Sequence, residues 1–234
     1  MQKFLTAEWR DLVMANYEAD PAVLAPLVPA GCELDLFDGK CFVSLVGFMF
    51  LNTRVLGVAV PFHGNFEEVN LRFYVRRECS DEVRRGVVFV KEIVPRSAIA
   101  LVARTLYGEP YEAWRMGHLR SERLVGYSWS KGECSNSLTV EIAEDLGVPA
   151  EGSHGEFIIE HYWGYTRRGE RRTDEYKVEH PKWELFAATN ETINVDFAAT
   201  YGKRFAFLNE MRPHSVLLAK GSEIAVFKGQ KLNL

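Results

Sequence analysis

Between residues 66 and 77 the chain reads FEEVNLRFYVRR, and apolar and polar positions alternate almost without a break. A period of two belongs to a β-strand, whose successive side chains point to opposite faces. Val69, Leu71, Phe73 and Val75 fall on one face, and Glu68, Asn70, Arg72, Tyr74 and Arg76 on the other. RGVVFVKEIV predicts a second strand. SAIALVARTLYG then changes period to that of a helix, with Ser97 as its cap and Gly108 as its stop. Ile99, Leu101, Val102 and Leu106 share a broad apolar face there, which leaves Arg104 off the stripe. Downstream, LVGYSWS, NSLTVEI, EYKVEH, KWELFAATN and the paired runs of SVLLAKGSEIAVF read as strands. Upstream, CELDLFDGKCFVSLVGFMF reads as a hairpin turned at Asp38-Gly39, where positive φ is tolerated.

Two short helices complete the pattern. ADPAVLAPLVP has Asp20 as N-cap and Pro21 at the first helical position. SHGEFIIEHYWGYT is capped at Ser153, with Glu156 at the capping-box position. Strands dominate, so the expected class is mainly β (α+β). The expected architecture is a closed or nearly closed antiparallel β-barrel with a few short peripheral helices. No linker, repeat or low-complexity segment interrupts the chain, and residues 1–234 read as one domain.

A hydrophobic content of 47% supplies a substantial core for such a domain. The net charge of −4 offers no general field for nucleic acid. The local basic run TRRGERR is followed at once by Asp174 and Glu175 and reads as a solvated hairpin tip. Cys32, Cys41, Cys79 and Cys134 are far apart and form no C-x-x-C pair, which argues against a zinc knuckle or redox dithiol. The first twenty residues carry charges every few positions, so no signal peptide is expected, and no apolar run reaches membrane-spanning length. The expectation is a cytoplasmic protein with reduced thiols.

Candidate chemistry starts with the polar row of the 66–77 strand. Glu68, Asn70, Arg72, Tyr74 and Arg76 either form the wet side of a sheet or point into a barrel, where buried polar groups need partners and line a ligand cavity. Asn and Glu are poor strand formers, which leans toward the interior. Arg104 either complements its helix dipole or offers a planar fork to a carboxylate. The six histidines show no ligand spacing, so neither a metal site nor a cofactor is expected. His161 and His180 each follow a Glu, but sequence neighbours point in different directions and make no dyad. No nucleophile elbow, phosphate loop or dinucleotide fingerprint occurs.

FEEVNLRFYVRR, RGVVFVKEIVPRSAIALVARTLYGEPYEAWRM and EHYWGYTRRGERRTDEYKVEHPKWELF together resemble the YqjF-like family of uncharacterised bacterial proteins, a branch of the acetoacetate decarboxylase-like superfamily. The resemblance runs from about Trp9 to about Lys228 and implies a single barrel-like domain with a central polar cavity. Arg104, Tyr107, Gly108 and Pro110 match the superfamily's Arg-x-x-aromatic-Gly-x-Pro segment. In decarboxylases that segment is followed by paired lysines, one of which forms a Schiff base. Here Tyr111 and Glu112 stand in those places, and neither forms an imine. Lys91 is the remaining amine to consider, from another strand.

By position, the resemblance implies Glu68 as acid or base and Tyr111 as a hydrogen-bond donor to substrate. Asn70, Arg72, Arg104 and Glu112 become ligand-binding positions. The expected functions are three: a binder of a small anionic or carbonyl compound, an enzyme acting on small oxo-acids by acid/base chemistry, or a scaffold whose polar network satisfies itself. Apolar strands such as CFVSLVGFMF could pair between subunits as readily as they fill a core.

Overall fold

The structure, a computed structural model, describes residues 2–106 and 108–233. The chain opens on a long strand, β1 (Lys3–Ala19), followed by helix α1 (Pro21–Leu24) and a 3-10 turn at Ala25–Leu27. Strands β2 (Glu33–Leu34), β3 (Cys41–Val55), β4 (Val58–Ala59), β5 (Phe66–Glu78) and β6 (Val83–Val94) lead to helix α2 (Ser97–Leu106). Then come β7 (Tyr111–Ala113), β8 (Arg115–Arg120), β9 (Leu124–Lys131), β10 (Cys134–Gly147) and helix α3 (His154–Ile159). Strands β11 (Trp163–Arg167), β12 (Arg172–Glu179) and β13 (Leu185–Asn194) precede helix α4 (Phe197–Tyr201), and a 3-10 turn at Lys203–Asn209 leads to β14 (Ser215–Phe227) and β15 (Gln230–Asn233).

The pairing of these strands makes the cavity. From β12, hydrogen bonding passes through β11, β6, β5, β3 and β1 to β14, and β14 pairs back onto β12 at Val178↔Val226. A sheet closed on itself has an inside, so inward residues of every strand in the circuit share one space. Most pairs are antiparallel, but β11 with β6 and β6 with β7 are parallel, and the sheet is mixed rather than wholly antiparallel. Strands β13, β10, β9 and β8 continue from β14 as an outer sheet.

Two apolar cores result, because β5 buries both of its faces. Val69, Leu71, Phe73 and Val75 pack outward with Tyr127, Trp129 and Leu138 of the outer sheet. Phe66 and Tyr74, on the opposite face, pack with Phe48, Phe50 and Phe157. Helix α3 seals one end of the ring: Phe157, Ile158 and Ile159 are all buried, and the Phe157 ring lies 5.3 Å from Tyr74 and 5.2 Å from His161. Its cap forms as the sequence implies, with Ser153 Oγ accepting from Glu156 N–H at 3.2 Å, while Glu156 reaches back to Gly152 N–H. Asp20 likewise caps α1 through Ala22 N–H at 2.8 Å.

Several local expectations change. The 17-residue β1 has no counterpart in the sequence reading, although it is central, paired with both β3 and β14. Asp38-Gly39 does make a tight positive-φ turn, but the strand before it pairs with β5 instead of completing a hairpin with β3. Trp163 to Thr166 form strand β11, not the tail of a helix. SVLLAKGSEIAVF is one strand, not two. Gly221 sits within it at φ +75°, where a Cβ would lie 1.9 Å from the Trp9 carbonyl oxygen, so the glycine bends the strand against β1 without ending it. CFVSLVGFMF is shielded between β1 and β5 and fills the core.

Candidate functional site

Inside the ring lies a cavity of about 260 Å³. Each strand of the circuit contributes to its wall, from Leu5 on β1 to Val226 on β14. The wall is asymmetric. Strands β1, β3 and β14 present Trp9, Leu12, Phe48, Phe50, Val55 and Val226. The polar side is carried by β5, β6, the 109–111 segment and β12, which present Glu68, Asn70, Arg72, Glu92, Glu109, Tyr111 and Tyr176.

Alternation along β5 explains the row. Phe66, Glu68, Asn70 and Arg72 all face inward because they are two residues apart, and each is buried. The Asn70 amide donates to Glu68 Oε1 at 3.0 Å, and the Tyr111 hydroxyl donates to Glu68 Oε2 at 3.0 Å. Burial pushes the Glu68 carboxyl up to about 7, further than those two bonds and the charge of Arg72 pull it down.

Glu92 is opposite Asn70 in the β5–β6 register and is likewise buried. Burial holds its carboxyl well above the ordinary carboxylate range, and the neighbouring Glu109 and Glu68 add to the rise. Glu109 accepts from the Thr166 hydroxyl at 2.6 Å and is pushed up by burial to about 7. Tyr111 is held well above the usual phenol range, by burial first and then by the two carboxylates beside it. Glu68 and Glu109 therefore hold protons toward the neutral range, and burial drives Glu92 in the same direction.

Arg72 is the cationic side chain on this wall. Among the described residues its guanidinium makes no ion pair within 4 Å; it contacts Met14 Sδ through Nη2 at 3.9 Å and lies 5.8 Å from the centre of the Tyr74 ring, and Nε has no hydrogen-bond partner. Deeper still, His161 Nε2 lies 3.1 Å from Asp35, which also pairs with Arg85 at 2.7 Å. Burial brings His161 down to about 4, so its ring is neutral, and Nδ1 is buried without a partner.

The remaining positions singled out in the sequence sit elsewhere. Arg104 is exposed on α2 and does not line the cavity, so it is not placed beside a ligand there. The residues of α2 that do line it are Ala98, Ile99, Val102 and Ala103, which share one side of the helix at a spacing of four. Glu112 points away from Tyr111, as alternation requires. It takes Lys91 Nζ at 2.8 Å, Lys131 Nζ at 3.0 Å and the Trp114 indole at 2.9 Å. Lys91 is thus committed outside the ring, and no lysine lines the cavity among the described residues.

Gly108, at φ +67°, packs beneath the Arg168 guanidinium, where a Cβ would meet Arg168 Nη1 at 1.4 Å. Tyr107 lies outside the described residues. Sequence reasoning passed over Glu92, Glu109, Tyr176 and His161. The Lys91-Glu92 step inside an apolar run was a usable signal, since one of two adjacent charges on a strand covered on both faces must point inward.

The fold has known counterparts. Acetoacetate decarboxylase from Legionella pneumophila superposes with a TM-score of 0.69 at 12% identity, covering 99% of this chain and 88% of that one. An acetoacetate decarboxylase-like enzyme from Sphingomonas wittichii RW1 gives 0.67 at 13% identity, covering 100% and 94%. The enduracididine biosynthesis enzyme MppR complexed with pyruvate gives 0.68 at 12% identity, covering 100% and 91%. The fold is therefore acetoacetate decarboxylase-like. Within that class, residues 6–223 match the family DUF2071, described as an uncharacterized conserved protein, and the chain belongs to it. Protein YqjF of Bacillus subtilis (strain 168), also uncharacterized, is 33% identical over 104 residues, 44% of this chain. The matched stretch spans 41% of that relative's length.

Proposed function

We propose that the cavity binds a small carboxylate or carbonyl compound, with Arg72 as the anion anchor and Glu68 as the acid or base at the bound carbonyl. The observation that carries this reading is the Arg72 guanidinium, buried and lacking a carboxylate within 4 Å among the described residues. A buried cation with no counter-ion is costly to the fold, and an incoming carboxylate relieves that cost with charge-assisted hydrogen bonds. The same feature disfavours a scaffold whose polar network is complete in itself. MppR, a neighbour in fold, has been seen with pyruvate, which is a compound of the proposed class.

The chemistry comes from the carboxyl that Asn70 and Tyr111 hold in place. Titrating at about 7, Glu68 is able both to donate and to accept a proton near neutrality, as a general acid or base requires. Tyr111 keeps its proton and donates a hydrogen bond. Among the described residues the cavity lining supplies no amine, so the reaction we propose passes through no imine on the protein.

Thermal denaturation in the presence of pyruvate and acetoacetate tests the binding. Saturation at a hundredfold excess over Kd stabilises by roughly 2.7 kcal/mol. The Arg72→Met variant is expected to unfold cooperatively and to lose the shift. A shift that survives in this variant moves the anchor elsewhere, and the absence of any shift with either acid sinks the reading. Glu68→Gln is expected to retain binding and lose any turnover. Borohydride reduction in the presence of acetoacetate is expected to leave every lysine unlabelled.

A further inference from the structure

Where Arg72 stands along the cavity constrains the shape of the ligand, provided that Arg72 is the anion anchor proposed for it. Strand register orders the polar wall along the ring axis. Arg72 is opposite Phe89, Asn70 opposite Glu92, and Glu68 lies one step beyond, so Phe66 ends the inward row. At about 3.3 Å per residue, Phe66 and Arg72 are roughly 20 Å apart along β5. The Arg72 end is closed by α3 and His161. The Phe66 end receives α2, because β6 runs antiparallel to β5 and passes directly into that helix.

This second end is mostly apolar, with Thr53 and His63 as its polar side chains among the described residues. Phe66 stacks on Phe50 at 4.7 Å, and Trp9 meets Phe50 edge-on at 5.8 Å. Ile99 and Val102 of α2 and Val60 before β5 complete the lining. Val60 and Val102 are also half exposed to solvent, and Leu56, Val58, Phe62 and Leu101 around them are more exposed still. The solvent end of the cavity therefore has predominantly apolar walls and a predominantly apolar rim, interrupted by Thr53 and His63. Moving inward, a ligand meets apolar surface first, then Glu68 and Tyr111, and Arg72 last.

We infer that the physiological ligand is an amphipathic monocarboxylate with an apolar body, aromatic or of medium chain length, rather than a short oxo-acid. Its carboxylate sits at Arg72, its reactive carbon passes Glu68 and Tyr111, and its apolar body fills the channel toward α2. A three-carbon oxo-acid leaves the Phe50–Phe66 end empty. The cavity holds about 260 Å³, where about 10–15 Å³ suffices for one water. Binding such an acid buries apolar surface at the end where the protein now exposes its own, and each methylene added contributes about 0.8 kcal/mol, or roughly fourfold in affinity.

The test is calorimetric titration of the full chain with acetate, butyrate, hexanoate and octanoate, with pyruvate against phenylpyruvate, and with hexan-1-ol. Affinity is expected to rise roughly three- to fourfold per methylene across the fatty acids at one site per chain, with phenylpyruvate at least tenfold tighter than pyruvate. Arg72→Met is expected to weaken all the acids by a common factor of ten or more and to leave the slope with chain length intact. Ile99→Asn is expected to flatten the slope while acetate and pyruvate bind as before. Acids that bind equally well at every length overturn this inference and leave the anion-binding reading standing. Hexan-1-ol binding as tightly as hexanoate, or Arg72→Met binding as the parent does, overturns the anion-binding reading itself. More than one site per chain assigns the slope to the outer surface and counts against the inference.

Discussion

Glu68 and Glu112 lie on either side of one layer of strands and are driven in opposite directions. Glu68 faces the cavity, where burial outweighs two neutral hydrogen-bond donors and raises its carboxyl to about 7. Burial also acts on Glu112, but hydrogen bonds from Lys91, Trp114 and Lys131 overcome it and bring that carboxyl down to about 2. The two residues are joined through Tyr111, which binds Glu68, while Glu112, its neighbour in sequence, turns outward. Both of the lysines near this segment are spent outside, and the unpaired arginine is kept inside. Charge that is paired in half-exposed positions serves the surface, whereas charge left unpaired in a buried wall is available to a ligand.

That contrast is open to breaking at four points. The largest effect is expected from pH. Glu68 and Glu109 titrate at about 7 when folded and at 4.5 when unfolded, so between these values the folded chain holds more protons. Stability is then full below about pH 4.5 on this account and falls as pH rises through 7. Melting temperature measured from pH 5 to pH 8 is expected to decline, and Glu68→Gln to flatten the decline by a few kcal/mol at the alkaline end. A melting curve that is flat or rises across this range removes the neutral-carboxyl account of the cavity.

Gly108→Ala comes next. It forces a side chain into positive φ and against Arg168, and denaturant unfolding is expected to show a loss of about 1–3 kcal/mol. Because the same turn sends Tyr111 inward and Glu112 outward, ligand affinity falls with it. Arg72→Met removes a buried charge in exchange for an apolar chain of similar length, and the apoprotein is expected to gain about 1 kcal/mol while losing its acid ligand. A destabilised apoprotein would mean that Arg72 serves the fold. The smallest change is expected from Glu112→Gln, below about 1 kcal/mol in urea unfolding at pH 7, because the pairs are part-exposed and screened. The difference from the parent is full above about pH 4.5 and disappears as pH falls toward 2, where the parent's own carboxyl takes up its proton.

Much of the fold and the site was legible in the residues themselves. Period-two alternation identified β5 and its inward row, and Glu68, Asn70 and Arg72 do share one wall with Tyr111. Capping chemistry located α1 and the start of α3 through Asp20 and Ser153. The failures have physical causes. β1 was masked because its charged residues sit at positions where neighbours absorb them, such as Arg10, whose guanidinium pairs with Glu8 and caps the Gly221 carbonyl. SVLLAKGSEIAVF looked broken because a glycine that bends a strand and one that ends it have the same local sequence. Arg104 looked poised for a ligand, but a helix that lies against the cavity presents only one side to it, and that side belongs to Ile99 and Val102.

By itself, then, the sequence determined what is local: that β5 and β6 are strands, where α1 and α3 begin, and which side chains of β5 point the same way. Those properties depend on period and on hydrogen bonds within a few residues. Only the tertiary structure decided that β12 and β14 meet, and that this closure turns one face of β5 into an enclosed wall. It also decided that Glu92 and Glu109 join Glu68 there and that, among the described residues, the lysines do not and Arg72 has no carboxylate within 4 Å. These outcomes depend on which distant groups share a low-dielectric space, and a pattern along one chain carries no measure of that distance.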